Sequence, residues 1–229
     1  MNPTVSRQLR ALLAKDLRLE LRTRETAVAM GLFALVGMLI FQFAIGTRTD
    51  DATPFAGGII WATLALTAVL GVGRTWVAER EQRVLDALLA APVPRLVLMS
   101  ARAIALVLYL LAVQVVVVPL ATVFFVRDAT FTDLGLTVVV CLLADLAIAL
   151  VGALLASMSV FSRARELLLP VLLLPSLIPV VIAAAGATHA VLGPADALDE
   201  YWRYCVFLAV YAVVFGLVAF ATFDHILDD

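Results

Sequence analysis

Histidine and cysteine are scarce in this 229-residue chain, with two of each, and the shortage removes most metal and redox chemistry. Cys141 and Cys205 both fall inside apolar runs and neither belongs to a C-x-x-C, so each reads as a small hydrophobe. No G-x-x-x-x-G-K-[ST] loop, H-E-x-x-H or G-x-S-x-G occurs, which leaves no nucleotide cradle, zinc-protease helix or serine elbow. Charge is also in short supply: Asp, Glu, Lys and Arg make up 15% of the chain against 64% hydrophobic residues, which excludes an ordinary soluble domain. The net charge of −2 points to no nucleic-acid partner.

What the chain does have is six long apolar runs, near 27–46, 55–73, 103–126, 134–160, 167–188 and 204–223. Each is about 20 residues or longer, the length a helix needs to cross about 30 Å of hydrocarbon. The runs are apolar on all sides rather than alternating, and backbone groups in lipid must pair within the segment, so they predict helices and not strands. The expected fold is an all-α integral membrane protein forming a single transmembrane domain over 1–229. No cleavable leader is expected, because the first 26 residues carry six basic and three acidic residues and the first apolar run already has spanning length.

Orientation follows from lysine and arginine. With the N-terminus in the cytoplasm, thirteen basic residues lie on the inner side, from Arg7 to Arg24, Arg74 to Arg102, and Arg163 with Arg165; Arg48, Arg127 and Arg203 lie outside. Both termini are therefore expected in the cytoplasm. His189 and His225 then fall near opposite faces, where they cannot form a paired metal site within one subunit; His189 reads as a solvated loop histidine.

Several segments between and within the spans are candidates for function. Residues 1–26 predict an amphipathic helix along the inner surface, with Val5, Leu9, Leu12, Leu13 and Leu17 on one face and Arg7, Lys15, Arg18 and Arg22 on the other. Asp16 and Glu20 project into the apolar arc, where an acid against lipid is costly, so they are expected to face protein; they read either as solvated charges of an anchor helix or as contacts to basic residues of the other inner loops or of a partner ATPase. Over 74–95, Val77, Val84, Leu85, Leu88 and Leu89 keep helical spacing while Glu79, Arg80, Gln82, Arg83 and Asp86 supply a polar side. The helix is expected to stop before Pro92. Such a short two-faced helix either ties two spans together or docks in a groove of a soluble partner.

Inside the membrane, Asp145 is the one acid near mid-span, and Gln114 on the preceding span lies at about the same depth. A carboxyl–amide hydrogen bond is the economical reading, and a place in a substrate or proton path is the alternative. Pro170, Pro175 and Pro179 within one run predict a bent or locally unwound helix, with Ser176 placed to satisfy a freed carbonyl. Asp196, Asp199 and Glu200, followed by Tyr201, Trp202 and Tyr204, predict a short outer-surface helix and an interfacial aromatic anchor. No residue is assigned a catalytic, cofactor-binding or metal-ligating role. From the residues alone, a permease for lipid or polysaccharide and a non-transporting assembly scaffold both remain open.

Four stretches resemble the CcmB family, the membrane subunit of the haem exporter in c-type cytochrome maturation. They are LAKDLRLELRTRE, PFAGGIIWATLALTAVLGVGRTWVAERE (54–81), LDALLAAPVPRLVLMSARAIA (85–105) and SRARELLLPVLLLPSLIPVVIAAA (162–185). The resemblance runs nearly end to end, and G-I-I-W together with L-P-x-x-I-P is its most specific part. It implies an ABC-2 or type V-like transporter membrane domain, in two copies per complex, that works with a separate ATPase, CcmA, beside CcmC, CcmD and the haem chaperone CcmE. ATP would be bound by the partner, haem would be the pathway ligand, and residues about 76–91 would be the coupling helix. The chain departs from the family in lacking a glycine after the acidic pair, where it reads Glu79, Arg80, Glu81, Gln82, Arg83. Haem carries two propionates, yet the spans offer only Asp145 and Gln114 at mid-membrane, which favours a mechanical transmitter over a haem path.

Overall fold

The computed structural model of the chain describes residues 3–46, 48–49, 51–81, 94–126, 130–159, 165–192 and 197–226. Among them the regular structure is helical throughout: α1 (Pro3–Thr23), α2 (Glu25–Phe41) with a π turn at Gln42–Gly46, α3 (Thr53–Glu81), α4 (Arg95–Phe125), α5 (Phe131–Ser159), α6 (Arg165–Leu192) and α7 (Leu198–Ile226). Six segments have the length and apolarity to cross a bilayer: Glu25–Ile45, Thr53–Arg74, Val97–Phe125, Phe131–Ala156, Leu168–Leu192 and Leu198–Thr222. An even number of crossings puts α1, the ends joined by segment 82–93, and the end of α7 on one side of the bundle, called here the N-terminal side.

Helix ends are satisfied locally. Thr53 N–H donates to Asp51 Oδ1 at 3.0 Å at the start of α3, and Thr130 N–H donates to Asp133 Oδ2 at 2.8 Å at the start of α5. Between α1 and α2 the chain turns through Arg24, whose φ of 56° is left-handed. That corner is held by Arg24 N–H donating to Glu20 O at 2.6 Å and by Ala27 N–H donating to the Glu20 side chain at 2.7 Å.

Packing centres on α3, α5 and α6, with the most extensive contact between α3 and α6. Trp61, Leu64, Ala68 and Val72 of α3 are buried with Ala144, Ala147, Ile148 and Val151 of α5 and Leu173, Leu177, Val180 and Ala184 of α6. In contrast, α2 exposes Val28, Leu32, Val36 and Ile40, and α7 exposes Val206, Val210, Val213 and Leu217, the surface expected of outer helices in hydrocarbon. Lipid gives little drive for apolar helices to associate, so close backbone approach matters more than apolar area. Gly57 supplies it: a Cβ there would lie 2.7 Å from Ala185 O on α6, whereas one on the adjacent Gly58 would meet nothing within 4 Å.

Two expectations change in detail. The proline-rich α6 is one continuous helix with no unwound turn, and Ser176 Oγ donates at 2.9 Å to Leu172 O. The prolines free the carbonyls of Glu166, Val171 and Pro175, so Ser176 shares a carbonyl that already has its helical donor. The acidic and aromatic group before the last span forms no separate surface helix: Asp199 and Glu200 lie in the first turn of α7 and Tyr201 is buried beneath them, while Asp196 lies outside the described residues.

The glycine pair gives a matched test. Gly57→Ala is expected to lower stability by about 1–3 kcal/mol through overpacking, while Gly58→Ala changes it little. Thermal unfolding of the detergent-solubilised chain measures both.

Candidate functional site

Among the described residues several polar contacts cross between helices: Thr53 Oγ1 donates to Phe125 O at 3.2 Å, Thr63 Oγ1 to Met38 Sδ at 3.9 Å and Tyr201 Oη to Leu136 O at 3.1 Å, and the contacts that follow add the ion pair and the bonds along the bundle. On the N-terminal side, Asp16 of α1 meets Arg102 of α4, with Arg102 Nη1 donating to Asp16 Oδ2 at 3.0 Å. Both residues are 6% exposed. The other carboxylate oxygen, Oδ1, lies 3.3 Å from Lys15 Nζ, so both oxygens of Asp16 face a cation. Glu20, one turn further along the same face, turns to the start of α2 and accepts from Ala27 N–H. Both acids therefore face protein.

At mid-bundle, Gln114 Nε2 of α4 donates to Asp145 Oδ1 of α5 at 2.8 Å. Asp145 is 0% and Gln114 4% exposed, and Asp145 Oδ2 and Gln114 Oε1 have no hydrogen-bond partner among the described residues. A side chain held this way by one bond depends heavily on that bond, because no solvent reaches the group to replace it.

Towards the far side, Trp61 Nε1 of α3 donates to Thr188 Oγ1 of α6 at 2.9 Å, and Thr188 Oγ1 in turn donates to Ala184 O at 2.9 Å. This relay adjoins the Gly57 contact and satisfies the indole N–H of the largest fully buried side chain. Finally, Tyr211 of α7 donates to Ser176 O at 2.6 Å, tying the last helix to the middle of the proline-bearing α6 beside Pro175 and Pro179.

The expected coupling residues divide in two. Glu79, Arg80 and Glu81 fall on the last turn of α3, and Arg83, Leu85, Asp86, Leu88 and Leu89 lie outside the described residues. Arg102 is one of the inner-side basic residues that the acids of α1 could meet, but its burial two turns into α4 and its pairing with Asp16 in particular leave no local pattern, because the two are 86 residues apart. The Trp61–Thr188 bond likewise spans 127 residues and leaves no local pattern. Among the described residues, no group of three or more His, Cys, Asp or Glu side chains could hold a metal, and His189 is exposed near the end of α6.

These features define a multi-pass α-helical membrane protein whose polar residues join helices to one another. The family model described as CcmB protein matches residues 7–227. The chain belongs to the CcmB family. It is 28% identical to heme exporter protein B of Bradyrhizobium diazoefficiens over 96% of this chain and 99% of that one. Heme exporter protein B of Rhodobacter capsulatus is 29% identical over 93% of this chain and 96% of its own, and that of Paracoccus denitrificans 30% identical over 94% and 95%.

The mid-bundle pair separates hydrogen bonding from charge. Gln114→Leu strips the carboxyl of its donor and is expected to lower stability by about 1–3 kcal/mol, whereas Asp145→Asn keeps an acceptor in place and stays within about 1 kcal/mol of wild type. Urea or thermal unfolding of the chain in lipid nanodiscs checks the order.

Proposed function

We propose that this chain is the membrane subunit of an ABC-type haem exporter complex in c-type cytochrome biogenesis. In this reading it couples ATP hydrolysis by a separate ATPase, CcmA, to haem delivery or to release of the haem-loaded chaperone CcmE. CcmC and CcmD complete the assembly, with two copies of this chain per complex, both termini in the cytoplasm of the inner membrane and no catalytic role of its own. The observation that carries it is the near full-length match to the CcmB family, whose relatives are named heme exporter protein B.

The polar geometry supports the mechanical form of this reading. Haem brings two carboxylates and an iron, and a path for it calls for cationic or ligating groups at mid-membrane. The mid-bundle polar pair consists of a carboxyl and an amide already bonded to each other. Arg102, the buried cation of α4, is bound to Asp16. Force would enter through the helix at about 76–91, with Leu85, Leu88 and Leu89 seated in a groove of the ATPase and Glu79, Arg80, Glu81, Arg83 and Asp86 at its rim. The proline-bearing α6, with Pro170, Pro175 and Pro179, would serve as a moving wall.

In a strain deleted for this gene, the wild-type chain is expected to restore haem-stained c-type cytochromes, and a Leu85→Glu/Leu88→Glu variant that still inserts in the membrane is expected to restore none. Staining restored by that variant would remove the coupling assignment. Normal cytochromes in the deletion strain would remove the haem reading and favour a lipid or polysaccharide permease.

A further inference from the structure

We propose that Asp16 and Arg102 form a clasp that joins α1 to the first turns of α4 as one mechanical body. A displacement of segment 82–93 would then reach α2 by way of α1. The inference rests on the coupling role proposed above for that segment, but the clasp itself stands on separate observations.

The first is how α1 is attached. Leu12 of α1 is buried with Val97, Leu98 and Ala101 of α4 in a small cluster beside the main core, with Val5, Leu9 and Leu13 packed around it, and Leu13 and Leu17 also pack against the main core. Contact between α1 and α4 is far more extensive than contact between α1 and α2, although α2 is the next element in the chain. So α1 is mounted on the start of α4. The second is where that mount lies. Helix α4 begins at Arg95, directly after Pro94, and Arg102 is seven residues in, about 10 Å along an unbroken helix. A push on the chain just before Pro94 meets no hinge before it reaches the ion pair.

The third is the way out. Asp16 and Glu20 are four residues apart and share a face of α1, and Glu20 accepts the Ala27 N–H in the first turn of α2. One face of α1 thus holds α4 through a carboxylate at Asp16 and α2 through a carboxylate at Glu20.

The choice of a buried ion pair also fits a clasp better than a stabiliser. Desolvating two charges cancels much of their attraction, so a well-packed apolar pair would hold the helices about as strongly. An apolar pair, however, tolerates sliding. A slip of α1 by one turn along α4 separates the carboxylate from the guanidinium and leaves both charges buried, which fixes the register of the two helices.

Amide hydrogen exchange of the full chain in nanodiscs tests the clasp without any partner. Asp16→Asn and Arg102→Gln are each expected to speed exchange across α1 by at least about tenfold, and the charge-exchanged pair Asp16→Arg/Arg102→Asp to bring it back toward wild type. Wild-type exchange in both single variants overturns the clasp, as does an exchanged pair that opens as fast as they do. If a single variant fails to fold, recovery of folding by the exchanged pair supports the clasp, and its failure to recover overturns it.

The same variants in the assembled complex test transmission. The single variants are expected to co-purify with the ATPase yet lose cytochrome haem staining, and the exchanged pair to regain it. Normal staining in the single variants removes the clasp from force transfer. The Leu85→Glu/Leu88→Glu variant run alongside distinguishes the two ideas: staining restored there sinks the coupling reading and leaves the exchange result for the clasp standing.

Discussion

Hydrocarbon offers no hydrogen-bond partner, and the architecture of this protein follows from that constraint. Backbone groups must pair within each segment, so the described spans are continuous helices, and even the three prolines of α6 leave no unwound turn. Several buried polar side chains follow the same rule, although Asp145 Oδ2 and Gln114 Oε1 have no partner among the described residues. The Trp61 indole, the Asp145 carboxyl and the Tyr211 hydroxyl each find a partner on another helix. Because lipid supplies little apolar drive between helices, these bonds and the close approach at Gly57 determine which helices are neighbours.

The polar contacts are spread along the bundle in a way that suits movement at one end. Towards the far side, α3 and α6 are joined by the Trp61–Thr188–Ala184 hydrogen bonds beside the close backbone approach at Gly57. At mid-depth a single carboxyl–amide bond joins α4 to α5. On the N-terminal side the ion pair holds α1 to α4 beside a small apolar cluster of the same two helices. A bundle fastened at one end and clasped at the other can pass a displacement along α1 and α4 while α3 and α6 stay packed.

This layout also bears on what the membrane subunit of a haem-handling complex needs. A transmitter requires stiff elements with a defined register, which small residues and hydrogen bonds provide. A conduit requires groups that replace the solvation of the cargo. Asp145 and Gln114 share one hydrogen bond, and Arg102 is bound to Asp16, so these polar side chains join helices to one another.

Composition and local pattern were enough to determine a membrane protein of six helical spans, because length and apolarity act residue by residue against a uniform solvent. Helical spacing alone also showed that Asp16 and Glu20 lie in the apolar arc of α1 and need protein around them. The equal depth of Gln114 and Asp145 could be counted from the ends of adjacent spans, which is why that bond was legible in advance. Only the tertiary structure decided that Asp16 meets Arg102, that Trp61 meets Thr188, and that Gly57 touches α6 while Gly58 does not. Those outcomes depend on the rotation and neighbour of each helix. Rotation is set by packing between segments up to 127 residues apart, and spans that are apolar on all sides carry no local signal of which face turns inward.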